Sequence, residues 1–202
     1  RDAHEQRSAH FVVRYPTETG DRYVVVNAAE GEPGTFKDRA LIRANPYQLI
    51  EGAAIAAVTV GAAKAYIGLK RTFGTEIDRL ERALTEMEAA GLTAGVEFEL
   101  VAGPDHYLLG EETGLLQVIE GEEPLPRWAP PYLQGLFATG PQAGWSSAPK
   151  KDAEPPNQAN PTLVNNVETL SSVPQILALG PEWYRSMGTE ESPGPIVCTV
   201  VG

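Results

Sequence analysis

The sequence predicts an α/β fold, in which helices cover the faces of a mostly parallel sheet. Short runs of β-branched and other apolar residues alternate with longer helical patterns through residues 23–120. Parallel strands need a crossover of about a dozen residues or more, usually a helix, so this alternation is typical of a parallel sheet. A chain of 202 residues is also long enough for one full domain.

The first strand is predicted from Tyr-Val-Val-Val at residues 23–26. A loop with two glycines and a proline follows it at 27–35, and a short helical turn is expected around 37–43. Asn45 and Pro46 then have the residue types preferred at the N-cap and first position of a helix. We expect that helix to run to about residue 60.

The middle of the chain repeats the pattern, with a strand at 64–70, a helix at 75–90 and a strand at 96–101. The helix at 75–90 is the most clearly amphipathic, because apolar residues recur on one face at spacings of three and four; these are Ile77, Leu80, Leu84 and Met87. Thr75 is the predicted cap of this helix and Gly91 its end. Another helix is expected at 111–120.

Beyond residue 120 the composition changes. Residues 121–161 are rich in proline, glycine and scattered aromatics, which predicts a long ordered loop or arm. A helix at 167–179 and a short turn at 182–187 follow, and a last strand is expected at 195–201. The chain begins with Arg and ends inside that strand pattern, so we expect it to be cut at both ends.

Charge and composition exclude several classes of function. Sixteen basic against 27 acidic residues leave a net charge of −11, so no nucleic-acid or anionic membrane surface is expected. The most apolar stretch, at 49–67, contains Glu51 and Lys64, which argues against direct membrane insertion. Cys198 is the only cysteine, so this chain alone cannot hold a four-cysteine iron–sulfur cluster. The three histidines have no metal-ligand spacing, and no metal site is predicted.

Ligands of parallel sheets bind at the carboxyl ends of the strands. The loop at 27–35 follows the carboxyl end of the first predicted strand and is therefore a candidate site. Gly31 and Gly34 allow a close approach of the backbone to a ligand, and Glu30 and Glu32 add carboxylate acceptors. The loop therefore fits a ribose-type or flavin-type ligand. The alternative is a tight solvated turn with an acidic rim.

Two further segments begin predicted helices. In the first, at 107–113, Tyr107 is a candidate wall of a site and Glu111 and Glu112 are candidate acceptors; alternatively, the two carboxylates only favour the positive end of the helix dipole. In the second, at 162–170, Asn165 or Asn166 is expected to cap the helix. Free N–H groups at such an end suit a phosphate, although an ordinary N-cap explains the same residues.

Four motifs that follow one another in a fixed order indicate a protein family more specifically than any single motif does. They are Asn-Ala-x-Glu-x-Glu-Pro-Gly-Thr-x-Lys-Asp-Arg at 27–39, Pro-x-x-Leu-Ile-Glu-Gly at 46–52, Tyr-x-x-Gly-Glu-Glu-Thr at 107–113 and Asn-Asn-Val-Glu-Thr at 165–169. Over residues 21–202 the chain resembles the NADH-oxidising flavoprotein of respiratory complex I, which is the F subunit of NADH-quinone oxidoreductase. It is similar as well to the flavin-carrying subunits of NAD-linked formate dehydrogenases and NAD-reducing hydrogenases.

The resemblance implies a Rossmann-like FMN- and NADH-binding domain over residues 1–192 and the first strand of a β-grasp domain at 193–202. It implies FMN as cofactor and NADH as substrate. The full-length family is expected to carry a 4Fe-4S cluster, whose ligands are absent from this chain. Other subunits of a multi-subunit redox complex are the implied partners. The implied location is cytoplasmic, peripheral to the inner membrane through the complex.

The resemblance also assigns site residues. Those expected around the FMN are Asn27, Glu30, Tyr107, Gly110, Glu111, Glu112, Asn165, Asn166 and Thr169. Those expected to contact NADH are Glu32, Glu112 and Tyr132. The implied reaction is hydride transfer from the nicotinamide to flavin N5, with no side chain as acid or base, followed by electron transfer to an iron–sulfur chain.

The chain also departs from the family pattern. Residues 1–20 contain only Gly20 in place of a glycine-rich phosphate loop. Ala29 and Ala129 stand where an acidic residue and a lysine are usual. These departures support an alternative in which the chain is a non-catalytic homologue, a binding or assembly module that has lost the flavin.

Overall fold

A computed structural model describes residues 20–138 and 159–200. Its centre is a four-stranded sheet in which every pairing is parallel, with the strand order β3-β2-β1-β4. The strands are β1 (Tyr23–Asn27), β2 (Lys64–Lys70), β3 (Glu97–Gly103) and β4 (Thr162–Asn166). The predicted α/β class with a parallel, Rossmann-like sheet is therefore confirmed.

Helices provide the crossovers between the strands. The described helices are α1 (Lys37–Ala44), α2 (Pro46–Val60), α3 (Gly74–Ala89), α4 (Glu112–Ile119), α5 (Pro131–Gln134), α6 (Val167–Leu179) and α7 (Pro181–Arg185), with a 3₁₀ turn at Tyr107–Gly110 before α4. No helix of the described residues is both long enough and apolar enough to cross a membrane.

The sheet separates the apolar core into layers on its two faces. On one face Val26 and Ile67 pack with buried residues of α1, α2, α3 and α6. On the other face Val25 and Tyr66 pack with residues of α4 and the segment before it. Successive side chains of a strand point to opposite faces, so neighbouring valines of β1 join different layers. Helices therefore cover both faces, as expected.

Helices α2 and α6 pack against each other at Gly52. A Cβ atom placed on Gly52 would lie 1.9 Å from the carbonyl oxygen of Leu170, which belongs to the backbone of α6. Only glycine lets the two helices approach this closely. Because α6 begins directly at the end of β4, this contact also positions the carboxyl edge of the sheet.

The cap predicted for α2 is confirmed. Pro46 occupies the first turn, and the Asn45 side chain accepts a hydrogen bond from the Gln48 amide at 3.3 Å. The cap predicted for α3 is wrong. That helix begins at Gly74 with Phe73 as its N-cap residue, which makes no side-chain capping bond, and Thr75 already lies inside the first turn.

The end of the chain differs from the prediction in two places. Residues 162–166, for which the sequence predicts no strand, form β4 beside β1. The strand predicted at 195–201 is wrong over residues 195–200, which form no strand pairing within the described part of the chain. A strand needs a neighbour to bond its backbone, and no described strand pairs with this segment. The β-grasp assignment of 193–202 stays a prediction.

Residues 121–138 of the predicted arm are held to α4 by a buried arginine. The Arg127 guanidinium donates to Gln117 Oε1 and to the Gly135 carbonyl, each at 3.0 Å, and pairs with Glu120 at 2.9 Å. Burial lowers the pKa of Arg127, although the Glu120 carboxylate partly opposes this shift. Residues 139–158 of the predicted arm lie outside the described residues, as do residues 1–19.

We predict that Gly52→Ala lowers the free energy of unfolding by roughly 1–3 kcal/mol, because the added methyl must push α2 away from α6. Gly74→Ala is the matched control, since among the described residues no atom beyond its chain neighbours and its own helix backbone lies within 4 Å of a Cβ at Gly74. It should leave stability unchanged or raise it slightly. Urea unfolding monitored by circular dichroism measures both variants, and equal stability of the two would contradict the prediction.

Candidate functional site

The candidate site lies where the strand order changes direction. From β1 the chain continues to β2 on one side, whereas β4 lies on the other side of β1. Asn27 and Asn166 are the last residues of β1 and β4, and they are register partners across the two strands. In open parallel sheets the crevice at such a point is where ligands bind.

A cavity of about 400 Å³ opens at this point. It brings together seven of the residues that the sequence predicts, namely Asn27, Glu30, Glu32, Tyr107, Gly110, Glu111 and Asn166. Five further residues complete the lining, namely Gly31, Thr35, Lys37, Asp38 and Leu108. Segments that are up to about 140 residues apart in the sequence thus meet at one edge of the sheet.

Glu30 lines the cavity but directs its carboxylate into the protein. The carboxylate accepts hydrogen bonds from the Asp38 amide and from Arg39 Nε, both at 2.8 Å, and is almost entirely buried. It therefore caps the N-terminus of α1, where a negative charge is favoured. The backbone of Glu30 has a φ of +36°, a left-handed conformation that is uncommon for a residue with a side chain.

Asn27 joins the end of β1 to the 3₁₀ turn. Its side-chain Nδ2 donates to the Gly110 carbonyl at 2.9 Å, and its Oδ1 accepts from the Ala29 amide at 3.3 Å. The two glycines of this region also come close together, since a Cβ on Gly110 would lie 3.8 Å from the Gly31 nitrogen. Both glycines line the cavity, so part of its lining is backbone.

Tyr107 and Glu32 meet at the mouth of the cavity. The Tyr107 hydroxyl donates to Glu32 Oε1 at 2.5 Å, and the ring lies beside Gly31. This hydrogen bond, together with the negative charge of Glu32, raises the pKa of the exposed Tyr107 phenol above its ordinary value. The pair places an aromatic ring and a carboxylate side by side where a ligand would enter.

Glu111 caps the helix that follows. Its Oε2 atom accepts from the Gly114 amide at 2.7 Å and from the Thr113 hydroxyl at 2.6 Å. The adjacent Glu112 starts α4, is exposed and does not belong to the cavity lining. The two carboxylates that the sequence pairs therefore have different positions, since one caps its own helix beside the cavity and the other lies on the exposed surface.

Lys37, which also lines the cavity, contacts three acceptors. Its Nζ lies 2.6 Å from Asp38 Oδ1, 2.8 Å from Asn166 Oδ1 and 3.1 Å from Glu168 Oε2. Asn166 also donates through Nδ2 to Asp38 Oδ2 at 2.9 Å and accepts from the Glu168 amide at 2.9 Å. Asn166, rather than Asn165, is therefore the cap of α6.

Burial and charge act in opposite directions on this cluster. Burial raises the pKa of Asp38, and the hydrogen bonds from Lys37 and Asn166 offset only part of the effect. Burial alone would lower the pKa of Lys37, but its bonds to Asp38 and Glu168 outweigh it, so the pKa of Lys37 is raised. The ammonium of Lys37 is thus held in its charged form beside the cavity.

Four predicted residues are not part of the lining, namely Glu112, Asn165, Thr169 and Tyr132. Asn165 precedes Asn166 in β4, so its side chain belongs to the opposite face of the sheet. Thr169 is exposed in the first turn of α6, and Tyr132 is half-buried in α5. The binding roles assigned to these residues stay predictions.

Sequence reasoning misses Lys37 and Asp38 as site residues, although the motif at 27–39 contains both. The sequence does carry a signal for Lys37. A lysine in the first turn of a helix opposes the helix dipole, which favours negative charge there. A violation of a local rule often marks a functional position, because tertiary contacts must compensate for it.

An open parallel sheet with a cavity at the carboxyl ends of its strands defines a Rossmann-like α/β protein, an architecture in which ligands such as nucleotides bind at this position. The chain belongs to the Nuo51 FMN-binding domain family (Complex1_51K), whose model matches residues 7–175. This finding confirms the resemblance drawn from the four motifs. Among the described residues, no group of three His, Cys, Asp or Glu side chains is placed to hold a metal ion.

Curated relatives are named as F subunits of NADH-quinone oxidoreductase. The F 2 subunit of Rhizobium meliloti is 38% identical over 86% of this chain. The F subunit of Streptomyces coelicolor is 41% identical over 85% of this chain. The chain spans 39% and 36% of the lengths of these two relatives. A chain in the crystal structure of an NAD⁺-reducing [NiFe]-hydrogenase superposes with a TM-score of 0.75 and 33% sequence identity. The match covers 94% of this chain and 29% of the hydrogenase chain.

We predict that Glu32→Gln lowers the pKa of Tyr107 toward its ordinary value, since a neutral amide does not oppose ionisation of the phenol. An ultraviolet absorbance titration measures this pKa as the difference between each protein and its Tyr107→Phe variant. Glu86→Gln is the control, because Glu86 accepts an equivalent bond from Tyr47 outside the cavity. An unchanged Tyr107 pKa in Glu32→Gln would count against the hydrogen bond between Tyr107 and Glu32.

Proposed function

We propose that this chain holds FMN in the cavity and admits NADH at its mouth, as part of an NADH dehydrogenase-type flavoprotein. The observation that carries the proposal is the convergence of Asn27, Tyr107, Gly110 and Asn166 on one cavity at the strand switch point. Membership of an FMN-binding domain family supports the choice of FMN over other nucleotide-type ligands.

The cavity has features that suit a flat ring system. Gly31 and Gly110 contribute backbone to the lining, and the Tyr107 ring lies beside Gly31. A volume of about 400 Å³ is within the range of cofactor sites, which run from roughly 300 to 1,000 Å³. The residues present therefore fit the ring of a flavin.

Polar groups of the cavity lining would orient the ligand. The Asn166 side chain and the Lys37 ammonium stand at the end of β4, where α6 begins. In this proposal the N-terminus of α6, which includes Thr169 and follows Asn165, faces the polar tail of the flavin. Free backbone N–H groups at a helix N-terminus are suited to a phosphate.

Glu32 and the adjacent Tyr107 provide the mouth at which NADH would enter, with Glu112 and Tyr132 as further contacts. A carboxylate here repels the additional phosphate of NADPH, which favours NADH. When bound, the flavin would supply the chemistry by accepting hydride from the nicotinamide at N5. The side chains of this chain would bind and orient both ligands and exclude water, without acting as acid or base.

Electrons would leave through groups outside this chain. We propose that they pass singly to an iron–sulfur chain in an NADH-quinone oxidoreductase-like complex of several subunits. The proposal rests on the curated relatives, which are named as subunits of NADH-quinone oxidoreductase and of which this chain spans about two fifths.

The decisive experiment purifies this chain, within its natural open reading frame, in excess FMN. We expect a yellow protein that retains flavin through gel filtration and is bleached anaerobically by NADH. Asn166→Ala should lose most of the flavin, because it removes an amide from the cavity. A colourless wild-type protein that does not react with NADH would refute the proposal and favour a binding or assembly module.

Asn45→Ala is the matched control for this experiment. Asn45 and Asn166 are both N-cap residues, which accept from the amides of Gln48 and Glu168. Removing either cap should cost about 1 kcal/mol of stability. Only Asn166 lines the cavity, so flavin should be retained fully in Asn45→Ala. Equal flavin loss in both variants would attribute the effect to stability alone.

The preference for NADH over NADPH separately tests the proposed role of the Glu32 and Glu112 carboxylates at the mouth of the cavity. We predict that Glu112→Gln raises kcat/KM for NADPH relative to NADH by about tenfold, which corresponds to roughly 1.4 kcal/mol. Glu32→Gln, which changes a lining residue, should have at least as large an effect. Steady-state rates with both dinucleotides measure the ratio, and unchanged ratios in both variants would contradict a charge-based selection.

A further inference from the structure

Lys37 connects the cavity to a segment outside it. Among the described residues of the lining, Lys37 is the only cation, while the lining contains four carboxylates, those of Glu30, Glu32, Asp38 and Glu111. Its Nζ reaches Glu168 Oε2 at 3.1 Å, and Glu168 does not line the cavity. One side chain thus contacts both the cavity and the first turn of α6.

Glu168 uses its other oxygen to hold the segment at 195–200. Its Oε1 accepts from the Val197 amide at 2.7 Å. Two residues further along, the Thr199 hydroxyl accepts from the Phe36 amide at 3.0 Å, directly before α1. Because the segment pairs with no described strand, these two bonds attach it to the carboxyl edge of the sheet.

We propose that Lys37 is a positioning residue that couples occupancy of the cavity to the order of the segment at 195–200. The proposal rests on the proposed function only in naming FMN as the ligand. Lys37 holds the Asn166 side-chain oxygen and the Glu168 carboxylate in one arrangement. A ligand that binds this arrangement stabilises it, and the Val197 bond is stabilised with it.

Charge explains why the coupling depends on Lys37. Asp38 and Glu168 both approach the ammonium, at 2.6 Å and 3.1 Å, and without the cation their carboxylates would repel each other. Asp38 is buried and held by Asn166 at 2.9 Å, whereas Glu168 is the more exposed of the two. Glu168 is therefore the side chain that can turn to solvent, and turning breaks its bond to Val197.

The first measurement is hydrogen exchange at the Val197 amide in the ligand-free protein. Lys37→Met should accelerate this exchange by about tenfold, the order of typical coupling between sites. Lys64→Met is the matched control. Lys64 also bonds two carboxylates, Glu97 at 2.7 Å and Glu99 at 2.8 Å, and has nearly the same side-chain exposure, 25% against 24%. It begins β2, at the opposite edge of the sheet.

The second measurement adds FMN. Saturating FMN should slow Val197 exchange in the wild type and in Lys64→Met but not in Lys37→Met, which should bind FMN about tenfold more weakly. Glu168→Ala leaves every lining residue in place, so it tests the coupling even if Lys37→Met does not fold. Because coupling is reciprocal, Glu168→Ala should weaken FMN binding as well.

The outcomes separate the two proposals. Absence of FMN binding by the wild type would refute the proposed function, while the ligand-free comparison would still decide the link from Lys37 to Val197. Normal FMN binding by Glu168→Ala, or Val197 exchange that FMN does not change in the wild type, would overturn the coupling alone. Equal acceleration in Lys37→Met and Lys64→Met would reduce the effect to a general loss of stability.

Discussion

Parallel pairing of β1 with β2 on one side and with β4 on the other is the constraint on which the site depends. It places Asn27 and Asn166 in register at the carboxyl ends of neighbouring strands, although they lie far apart in the sequence. The helices that follow these two strands, α1 and α2 after β1 and α6 after β4, pack on the same face of the sheet. The cavity at this edge is lined by residues that follow β1, by Asn166 and by the 3₁₀ turn at 107–110. The close contact of α2 and α6 at Gly52 keeps α6 against the sheet at this edge.

The cavity lining contains four carboxylates, and each accepts a hydrogen bond from another group of the protein. Glu30 and Glu111 each accept a hydrogen bond from a backbone amide at the start of a helix, where negative charge is favoured. Asp38 faces an ammonium and an amide, and Glu32 accepts from a phenol. These carboxylates keep the lining polar, and Gly31, Gly110 and Tyr107 line the same cavity.

Family membership and geometry support the same function from different directions. The family model covers most of the chain, and the curated relatives are named for NADH-quinone oxidoreductase. The match to an NAD⁺-reducing [NiFe]-hydrogenase shows that the same fold occurs in a second type of redox enzyme. What the relatives share with this chain is the domain around the cavity, so the proposed function concerns ligand binding here and electron transfer in partners elsewhere.

The sequence by itself determined the α/β class, the cap of α2 and the four ordered motifs, because each depends on short-range periodicity or local residue type. Tertiary structure decided where β4 forms, why residues 195–200 form no strand within the described part of the chain and how Lys37 becomes part of the site. β4 has two asparagines in five residues and forms only because β1 lies beside it, while 195–200 lacks such a neighbour among the described strands. Lys37, unfavourable at its own helix end, becomes part of the site through Asn166 and Glu168. Local sequence patterns do not predict contacts between distant segments, because the fold decides which segments become neighbours.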